Sequence, residues 1–428
     1  MKARLSVTII ALILSLPMVV HAQVIQNFKP YDQAGIGVFE PEKDDTPFDG
    51  VQVRWGAAFT QQMQMLSHSN AADAVLDAEG RNVNELYNLA YGFNLATANL
   101  VLDAQLADGI RVNLTTYLSS RHHNEAWVKG GYLQIDKLDF LGVEALTSMM
   151  DYLSIRVGHF GLNYGDAHYR RTDNGHALHN PFVGNYIMDA LATEIGGEVL
   201  FRHQGVLAML GVSSGENQGN LRSTGNKRPS FVGKLGYDNW VSPDLRVRLT
   251  GSVYHTGGSD RNTLYNGDRA GSRYYLVLEN EAATAAANFR SGRVSPDITD
   301  RITATMINPY LRYQGLELFG LFEFVSGRSH GEVDNRTWRQ IGGEALYRFL
   351  PQEQLYVGAR FAQVNGELIG SGRDVTIQRL QLGGGWFITP NMLLKAEYVN
   401  QSYDGYASSS IFHEGRFDGV LVEAVVSF

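Results

Sequence analysis

The strongest constraint on this chain is an alternation of apolar and polar residues with a period of two, which recurs in about sixteen segments. From Ala96 to Leu106, for example, every even position is alanine or leucine, whereas the odd positions include Asp103 and Gln105. The pair Asp108-Gly109 then predicts a tight hairpin turn, and the alternation resumes after it. Each such segment predicts a β-strand with one apolar face and one polar face.

The connections between these segments fall into two classes that alternate along the chain. Tight links such as Ala107–Gly109 and Gln314–Gly315 alternate with long polar connections. The long connections run over about 60–92, 120–126, 160–192, 214–229, 256–300, 326–336, 365–374 and 401–415. Transmembrane barrels of the Gram-negative outer membrane have short periplasmic turns and long external loops. The alternation therefore predicts an all-β, antiparallel transmembrane β-barrel of about 16 strands in that membrane.

The aromatic residues support this fold. On strands that run toward the short turns, the apolar face ends in an aromatic residue at Phe201, Tyr237, Tyr313, Phe349, Trp386 and Phe428. These positions predict a girdle at the periplasmic interface, because aromatic rings favour the level of the lipid headgroups. The terminal Phe428 resembles the carboxy-terminal signature that the outer-membrane assembly machinery recognises. No stretch after residue 22 approaches the ~20 apolar residues of a membrane helix.

The first 22 residues predict a cleaved signal peptide. Lys2 and Arg4 precede an apolar stretch over 5–20, and Val20 and Ala22 are the small residues that a signal peptidase requires. The predicted organisation is a signal peptide over 1–22, a periplasmic lead-in over 23–50 and a barrel over 51–428.

Charge and cysteine content limit the partners of the mature chain. Removing residues 1–22 takes out Lys2 and Arg4 and no acidic residue, so the formal net charge changes from −8 to −10. This acidic balance argues against a nucleic-acid partner. The absence of cysteine fits an exported protein that does not depend on disulfides. The expected partners are membrane lipids, lipopolysaccharide and small hydrophilic solutes.

The polar faces of the predicted strands carry many charged residues. A charge on the lipid side of a barrel costs ~2–4 kcal/mol near the midplane, so these residues are expected to face the lumen. The predicted channel-lining residues of the wall are Arg111, Arg156, Glu198, Lys234, Arg246, Arg248, Arg312, Arg360 and Arg379. A barrel of about sixteen strands is wide enough to leave an aqueous channel.

The connection over 160–191 follows the fifth predicted strand and is therefore the third long loop. We expect it to fold into the barrel and narrow the channel, with a constriction formed by Asp166, Arg170, Arg171 and Asp173. Four histidines raise the alternative of a metal site: His159, His168, His176 and His179. No pair of them has the His-x-x-x-His spacing of a helical zinc site, so neither a metal nor another cofactor is predicted.

The strand that enters this loop resembles a known family. Arg156, Gly158 and Phe160 match the Arg-x-Gly-x-Phe motif of the phosphate-selective porin group and allied porins. Those proteins continue with a Pro-Phe-Gly turn, whereas this chain has Asn163-Tyr164-Gly165. The resemblance implies a sixteen-stranded and often trimeric channel. Phosphate specificity is not carried over, because no ladder of basic residues is recognisable and the net charge is negative.

Together these features predict a porin, a water-filled channel for passive diffusion of small hydrophilic solutes or ions. One alternative is a substrate-specific channel for anions, phosphate or sugars, whose lining would include Tyr152, Tyr254, Tyr310 and Tyr356. A second alternative is an outer-membrane enzyme. The nearest serine and histidine, Ser252 and His255, are predicted on opposite faces of one strand, so no enzyme is expected. A receptor role for the loop over 256–300 also stays open.

Overall fold

The computed structural model describes residues 25–44, 46–119, 125–217, 225–268, 271 and 273–428. The predicted signal peptide over 1–22 lies outside the described residues. Within these ranges, no helix has the length and the apolar character that crossing a membrane requires.

Sixteen strands of eight or more residues form one closed antiparallel sheet. They are β1 (Gln52–Ser69), β2 (Thr97–Ala107), β3 (Ile110–Ser119), β4 (Glu125–Ile135), β5 (Leu153–Gly161), β6 (Thr193–His203), β7 (Val206–Ser213), β8 (Ser230–Ser242), β9 (Leu245–Thr256), β10 (Arg301–Tyr313), β11 (Leu316–Arg328), β12 (Arg336–Phe349), β13 (Leu355–Glu367), β14 (Asp374–Thr389), β15 (Met392–Asp404) and β16 (Arg416–Ser427). A two-residue segment, Gly92–Phe93, pairs with β1 just before β2. Strand β1 also pairs with β16, with Ala58 opposite Ser427, and this pairing closes the barrel. The predicted fold class and strand number are confirmed.

The connections at one end of the barrel are short. Six of them are tight turns, over 108–109, 204–205, 243–244, 314–315, 350–354 and 390–391. Between β6 and β7, Gln204 (φ 49°) and Gly205 (φ 84°) both adopt the left-handed region that two-residue hairpins favour. The seventh connection, residues 136–152, is longer and contains the helix α1 (Glu144–Met150). We call this the turn end and the opposite end the loop end.

The two faces of the wall separate as the alternation predicts. Leu235 is 69 % exposed on the outer face, whereas its neighbour Lys234 is 1 % exposed inside. Exposed aromatic residues of the outer face occur near the turn end at Tyr237, Tyr313, Phe349, Trp386 and Phe428. Of the four tyrosines expected inside, Tyr254, Tyr310 and Tyr356 are buried. The expectation for Tyr152 is wrong: this residue precedes β5 in the 136–152 connection and is 43 % exposed.

Three segments occupy the lumen. We call residues 162–192 the plug loop, the described residues of 257–300 the cap loop and the described residues of 25–50 the lead-in. Every residue of the plug loop is buried or half-buried. The lead-in crosses the turn end, where Gln33 donates its N–H to the Pro390 carbonyl at 2.9 Å and Lys43 Nζ donates to the Asp136 carbonyl at 2.5 Å. The free space inside the barrel is therefore set by how these segments pack against the wall.

Candidate functional site

The candidate site is the space between the plug loop and the wall, where charged side chains of both come together. The first contact that fixes the plug loop is Asp166, whose carboxylate accepts two hydrogen bonds of 2.8 Å from Arg248 and lies 2.8 Å from Lys234 Nζ. Lys234 and Arg248 also pair with Glu40 of the lead-in, at 2.9 and 2.8 Å. All four side chains are at most 3 % exposed. Burial favours the neutral acid, but the two cations outweigh burial and hold the pKa of Asp166 well below its usual range.

The second contact is Arg170, which joins the plug loop to β11 and β12. Its guanidinium pairs with Glu317 at 2.5 Å and with Glu344 at 2.9 Å, and all three side chains are at most 5 % exposed. Glu344 also accepts a hydrogen bond of 2.8 Å from Arg360 on β13. Arg360 in turn donates to the Gly184 carbonyl at 2.8 Å, so the same network fixes a second point of the loop.

The third contact joins the far part of the plug loop to β15. Lys395 Nζ donates to three backbone carbonyls at 2.9–3.1 Å, those of Ala177, Asn180 and Phe182. Glu397 accepts a hydrogen bond of 2.7 Å from the Val183 N–H. Irregular backbone in the interior of a barrel needs such partners, because a buried polar group without one is costly.

The predicted lining residues on β8–β14 all face the lumen, but they bind other segments there. Arg379 donates to the Asn185 carbonyl of the plug loop at 2.5 Å, and Arg246 pairs with Asp238 at 2.7 Å. Arg312 pairs with Glu353 in a turn. None of these predicted lining residues borders the inner cavity, which is described next: Lys234, Arg246, Arg248, Arg312, Arg360 and Arg379. The channel-lining role of these residues stays a prediction, and so does the role of Asp166 and Arg170 in a constriction.

On the other side of the plug loop, against β2–β6, lies a cavity of ≈ 280 Å³, which we call the inner cavity. Five of the predicted site residues line it together: Arg111, Arg156, Arg171, Asp173 and Glu198. Other lining residues come from the wall (Asp103, Tyr132, Gln134), the plug loop (His168, Tyr169) and the lead-in (Phe28, Lys29, Tyr31). The cavity is thus bounded by three separate parts of the chain.

Most charged groups of the inner cavity have partners of opposite charge. Arg156 pairs with Glu198 at 3.0 Å, and the Arg156 side chain keeps 26 % exposure. Arg171 pairs with Asp189 at 2.7 Å and also with Asp268 of the cap loop. These pairs leave the carboxylates of the cavity largely neutralised.

Two cations of the inner cavity differ from the rest. Among the described residues, neither Lys29 nor Arg111 has a carboxylate within ion-pair distance, and Arg111 donates to the Gln134 side chain at 2.9 Å. Lys29 Nζ lies 4.9 Å from the centre of the Tyr169 ring. Burial lowers the pKa of Lys29 to about 7, although Glu40 opposes this shift.

Toward the loop end, the inner cavity ends at Asp173. The Asp173 carboxylate accepts a hydrogen bond from the Tyr117 hydroxyl and pairs with Lys129 of β4. Beyond this contact, an outer pocket of ≈ 90 Å³ is lined by Lys129, Asp268 and other residues near the loops. The Lys129–Asp173 pair therefore separates the two spaces.

Toward the turn end, the inner cavity adjoins a third space. This turn-side pocket of ≈ 380 Å³ shares Pro41, Ser154 and Leu200 with the inner cavity, and the turn residues Gln204 and Gly205 also line it. The turn-side pocket, the inner cavity and the outer pocket thus follow one side of the wall from one end of the barrel to the other.

Two histidines of the plug loop, His176 and His179, contact each other, and His179 also contacts the lead-in. His176 Nε2 lies 3.2 Å from His179 Nδ1, and His179 Nε2 lies 3.1 Å from the Asp32 carbonyl of the lead-in. In the part of the chain that the structure describes, no three His, Cys, Asp or Glu side chains are arranged to hold a metal ion.

The contacts of Ser213, a candidate catalytic serine, do not support its action as a nucleophile. Ser213 lies in Gly211-Val212-Ser213-Ser214-Gly215, which has the Gly-x-Ser-x-Gly spacing of some hydrolases. In those enzymes the serine occupies a strand-to-helix turn and bonds to a histidine. Here Ser213 ends β7, and its hydroxyl donates to Glu194 at 2.6 Å and lies 2.8 Å from the Ser230 hydroxyl. Ser252 is buried and His255 is exposed, so these two also lie on opposite faces.

The sequence reasoning missed Lys29 and Lys129. Lys129 faces inward because a bulge in β4, opposite Thr115 and Thr116, shifts the alternation by one residue. The adjacent Gly130 and Gly131 are the signal that reveals such a bulge, since glycine within a strand often marks one. Lys29 lies before the first strand, where no periodic pattern assigns a side chain to the lumen.

Comparisons with known proteins find likeness in structure and not in sequence. No protein-family model matches the chain, and no curated protein matches it by sequence. The solved structure of OmpT, an outer membrane protein of Vibrio cholerae, matches with a TM-score of 0.51 and 11 % identity, over 89 % of this chain and 99 % of OmpT. The outer membrane channel DcaP of Acinetobacter baumannii matches with a TM-score of 0.52 and 12 % identity, over 89 % of this chain and 98 % of DcaP.

A third structure, OprB of Pseudomonas putida, matches with a TM-score of 0.51 and 11 % identity, over 89 % of this chain and 94 % of OprB. At these identities the likeness concerns the fold. The chain has the fold of a multi-pass barrel of the Gram-negative outer membrane, as the sequence predicts, and it is similar to channel proteins of that membrane.

Proposed function

We propose that this protein is an outer-membrane porin for passive diffusion of small hydrophilic solutes or ions, and that its path lies between the plug loop and β2–β6. The observation that carries the proposal is the inner cavity, a polar space inside a sixteen-stranded barrel whose lining includes Arg111, Arg156 and Glu198. Barrels of this size leave room for an aqueous channel. The series of spaces from the turn-side pocket to the outer pocket gives this channel a direction through the barrel.

The narrowest point of the proposed path is the contact of Asp173 with Lys129 and Tyr117. A pair of opposite charges at a constriction selects for small solutes and sets the local ion preference. The Lys129 and Asp173 side chains each keep 19 % exposure, so water reaches them and the pair can separate at modest cost. By contrast, the fully buried networks of Asp166 and Arg170 keep the opposite side of the plug loop closed.

Conductance of the refolded mature protein in planar bilayers tests the proposal. We expect stable single-channel steps, and a larger step for Lys129→Ala because truncation widens the constriction. Asp173→Ala should widen it too and also move the reversal potential toward anion preference. Arg373→Gln, in an exposed loop, is the matched control and should conduct like the wild type.

Two results would contradict the proposal in different ways. A folded protein that inserts and shows no conductance is not a porin, and a plugged barrel with a receptor or enzymatic role becomes the better description. Conductance that is unchanged in Lys129→Ala and Asp173→Ala means that solutes take another path.

The partners predicted from the sequence are proposals of the same kind. Lipids and lipopolysaccharide are proposed to surround the apolar outer face, and a homotrimer is the expected assembly.

Phe428 is 52 % exposed at the turn end, which suits its proposed recognition by the assembly machinery. Phe428→Ala should therefore lower the assembled fraction in cells without blocking refolding in vitro. Mass spectrometry of the purified protein checks cleavage after Ala22, and chemical cross-linking in membranes checks the trimer.

A further inference from the structure

We propose that the inner cavity binds a small organic monoanion, a carboxylate carried by a single aromatic or apolar ring, during its passage through the channel. This inference rests on the proposed function and names the solute class that the path favours. Two observations support it: two cations of the cavity lack a carboxylate partner, and aromatic side chains surround these cations.

Four cations and four carboxylates line the inner cavity, but they are not all paired with one another. The carboxylates of the cavity already have donors: Glu40 pairs with Lys234 and Arg248, Glu198 pairs with Arg156, and Asp173 pairs with Lys129. Asp103 accepts hydrogen bonds from the Tyr31 hydroxyl at 2.6 Å and from Asn113 at 2.9 Å. In the described chain, Lys29 and Arg111 have no such carboxylate partner. A buried cation without a counter-charge is unfavourable, so an anionic solute that supplies one is stabilised there.

Aromatic side chains surround the same two cations. Lys29 lies 4.9 Å from the centre of the Tyr169 ring, and Arg111 lies 5.9 Å from the centre of the Phe28 ring. Phe28 packs edge-on against Tyr31, with ring centres 5.2 Å apart. All five residues line the inner cavity. A solute with a carboxylate next to a ring can therefore place its charge near Lys29 or Arg111 and its ring against these aromatic surfaces.

The remaining groups limit the size and the charge of the solute. Asp103 and Glu198 line the same cavity, so a dianion such as hydrogen phosphate meets more repulsion than a monoanion. The volume of ≈ 280 Å³ lies just below the ~300–1,000 Å³ that ligand sites usually enclose, so only a small solute fits. A single ring with one carboxylate fits both limits.

Benzoate block of the single-channel current tests the inference on the refolded mature protein. We expect benzoate to reduce the current at lower concentration than acetate, which has the charge without the ring. Benzylammonium, which has the ring with the opposite charge, should block least. Inorganic phosphate should also block less than benzoate. Calorimetric titration of the protein in detergent with benzoate measures the same site without relying on conductance.

Three variants test whether benzoate blocks the current by binding in the inner cavity. Lys29→Gln and Arg111→Gln should each raise the half-blocking benzoate concentration about tenfold, the effect of losing one charge-assisted hydrogen bond. Tyr169→Leu should weaken the block by benzoate and leave the block by acetate unchanged. Arg373→Gln, a basic residue exposed far from the cavity lining, is the control and should not alter either block.

Each outcome has one meaning. A conducting channel that benzoate, acetate and benzylammonium block equally overturns the inference and leaves the proposed porin function intact. The same is true if Lys29→Gln, which removes no ion pair and is not expected to affect folding, leaves the benzoate block unchanged. A protein that conducts nothing but binds benzoate in calorimetry loses the porin proposal and keeps the site.

Discussion

The two halves of the inner wall use the same kinds of residue for different purposes. On β8–β16, arginines, lysines and glutamates meet the plug loop directly, as in the pairs of Arg170 with Glu317 and Glu344. On β2–β6, similar residues border the inner cavity, as in the pair of Arg156 with Glu198. The side-chain exposure is 5 % for Arg170 and 26 % for Arg156. We call these regions the packed half and the open half.

The comparison teaches that a charge facing the lumen of a barrel is not by itself a channel residue. In the packed half, removing one partner breaks a fully buried ion-pair network, which is strongly unfavourable. In the open half, the Arg156 side chain keeps 26 % exposure, so water screens its pair with Glu198 and this pair is expected to contribute less to stability. Stability and selectivity are therefore expected to depend on different halves of the wall.

The largest effect is expected for Arg170→Met. The change removes the cation that Glu317 and Glu344 share and leaves each carboxylate with a single arginine, Arg348 or Arg360. Breaking a buried ion-pair network costs up to ~3–5 kcal/mol. Guanidinium titration of the protein in lipid bilayers measures the free energy of unfolding, and the single-channel current should rise or become noisy as the plug loop loosens. A variant as stable as the wild type would remove the distinction between the halves.

The second largest effect is expected from acid, which should lower the stability of the packed half. The pKa of Asp166 is lower in the folded protein than in the unfolded chain, so its contribution is complete above the usual carboxyl range and is lost as the pH falls below about 4. The loss is on the order of 2 kcal/mol. It is measured as the stability difference between the wild type and Asp166→Asn, which should be large at neutral pH and shrink toward pH 2. A constant difference across this range would contradict the assignment.

A smaller effect on stability is expected for Arg156→Met, the matched change in the open half. Because the pair with Glu198 is partly solvated, the loss should be about 1 kcal/mol or less. The freed carboxylate of Glu198 should instead move the reversal potential toward cation preference. A loss as large as that of Arg170→Met would show that the open half also supports the fold.

The smallest effect on stability is expected at Lys29, where the readout is selectivity. Burial lowers the Lys29 pKa to about 7, with Arg170 and Arg248 acting in the same direction and Glu40 against it. The positive charge is therefore present below pH 7 and lost as the pH rises through it, so anion preference should fall over this range. Reversal potentials at pH 6 and pH 8 measure the change. Lys29→Met should show the weaker preference at both values, and an equal shift in this variant would assign the titration to another group.

The fold follows from the sequence because its signal is local. The alternation around Asp103 and Gln105 places both side chains inside, where they are 1 % and 2 % exposed. The tight turns follow from short polar links such as Gln204-Gly205. The expectation failed for Tyr152, which lies one residue before β5, because alternation does not define where a strand begins.

The site was less accessible to sequence reasoning. Arg111, Arg156, Arg171, Asp173 and Glu198 were predicted and lie around one cavity, whereas Lys234 and Arg248 were predicted with them and bind Asp166. Their residue types and their position in the alternation are alike, so no local signal separates the two groups. Lys129 was missed because a single-residue bulge reverses the face that the alternation assigns.

The sequence by itself determined that this chain forms a closed barrel and, apart from positions such as Tyr152 and Lys129, which residues face outward and which face the lumen. These properties depend on the period-two pattern and on the high cost of placing charge in lipid, both of which are local. Only the tertiary structure decided which inward charges are buried by the plug loop and which border open space. That division depends on contacts between residues far apart in the chain, such as Asp166 and Arg248, which are 82 positions apart. It is set by how the loop packs inside the barrel, and the alternation of residues along a strand carries no information about that packing.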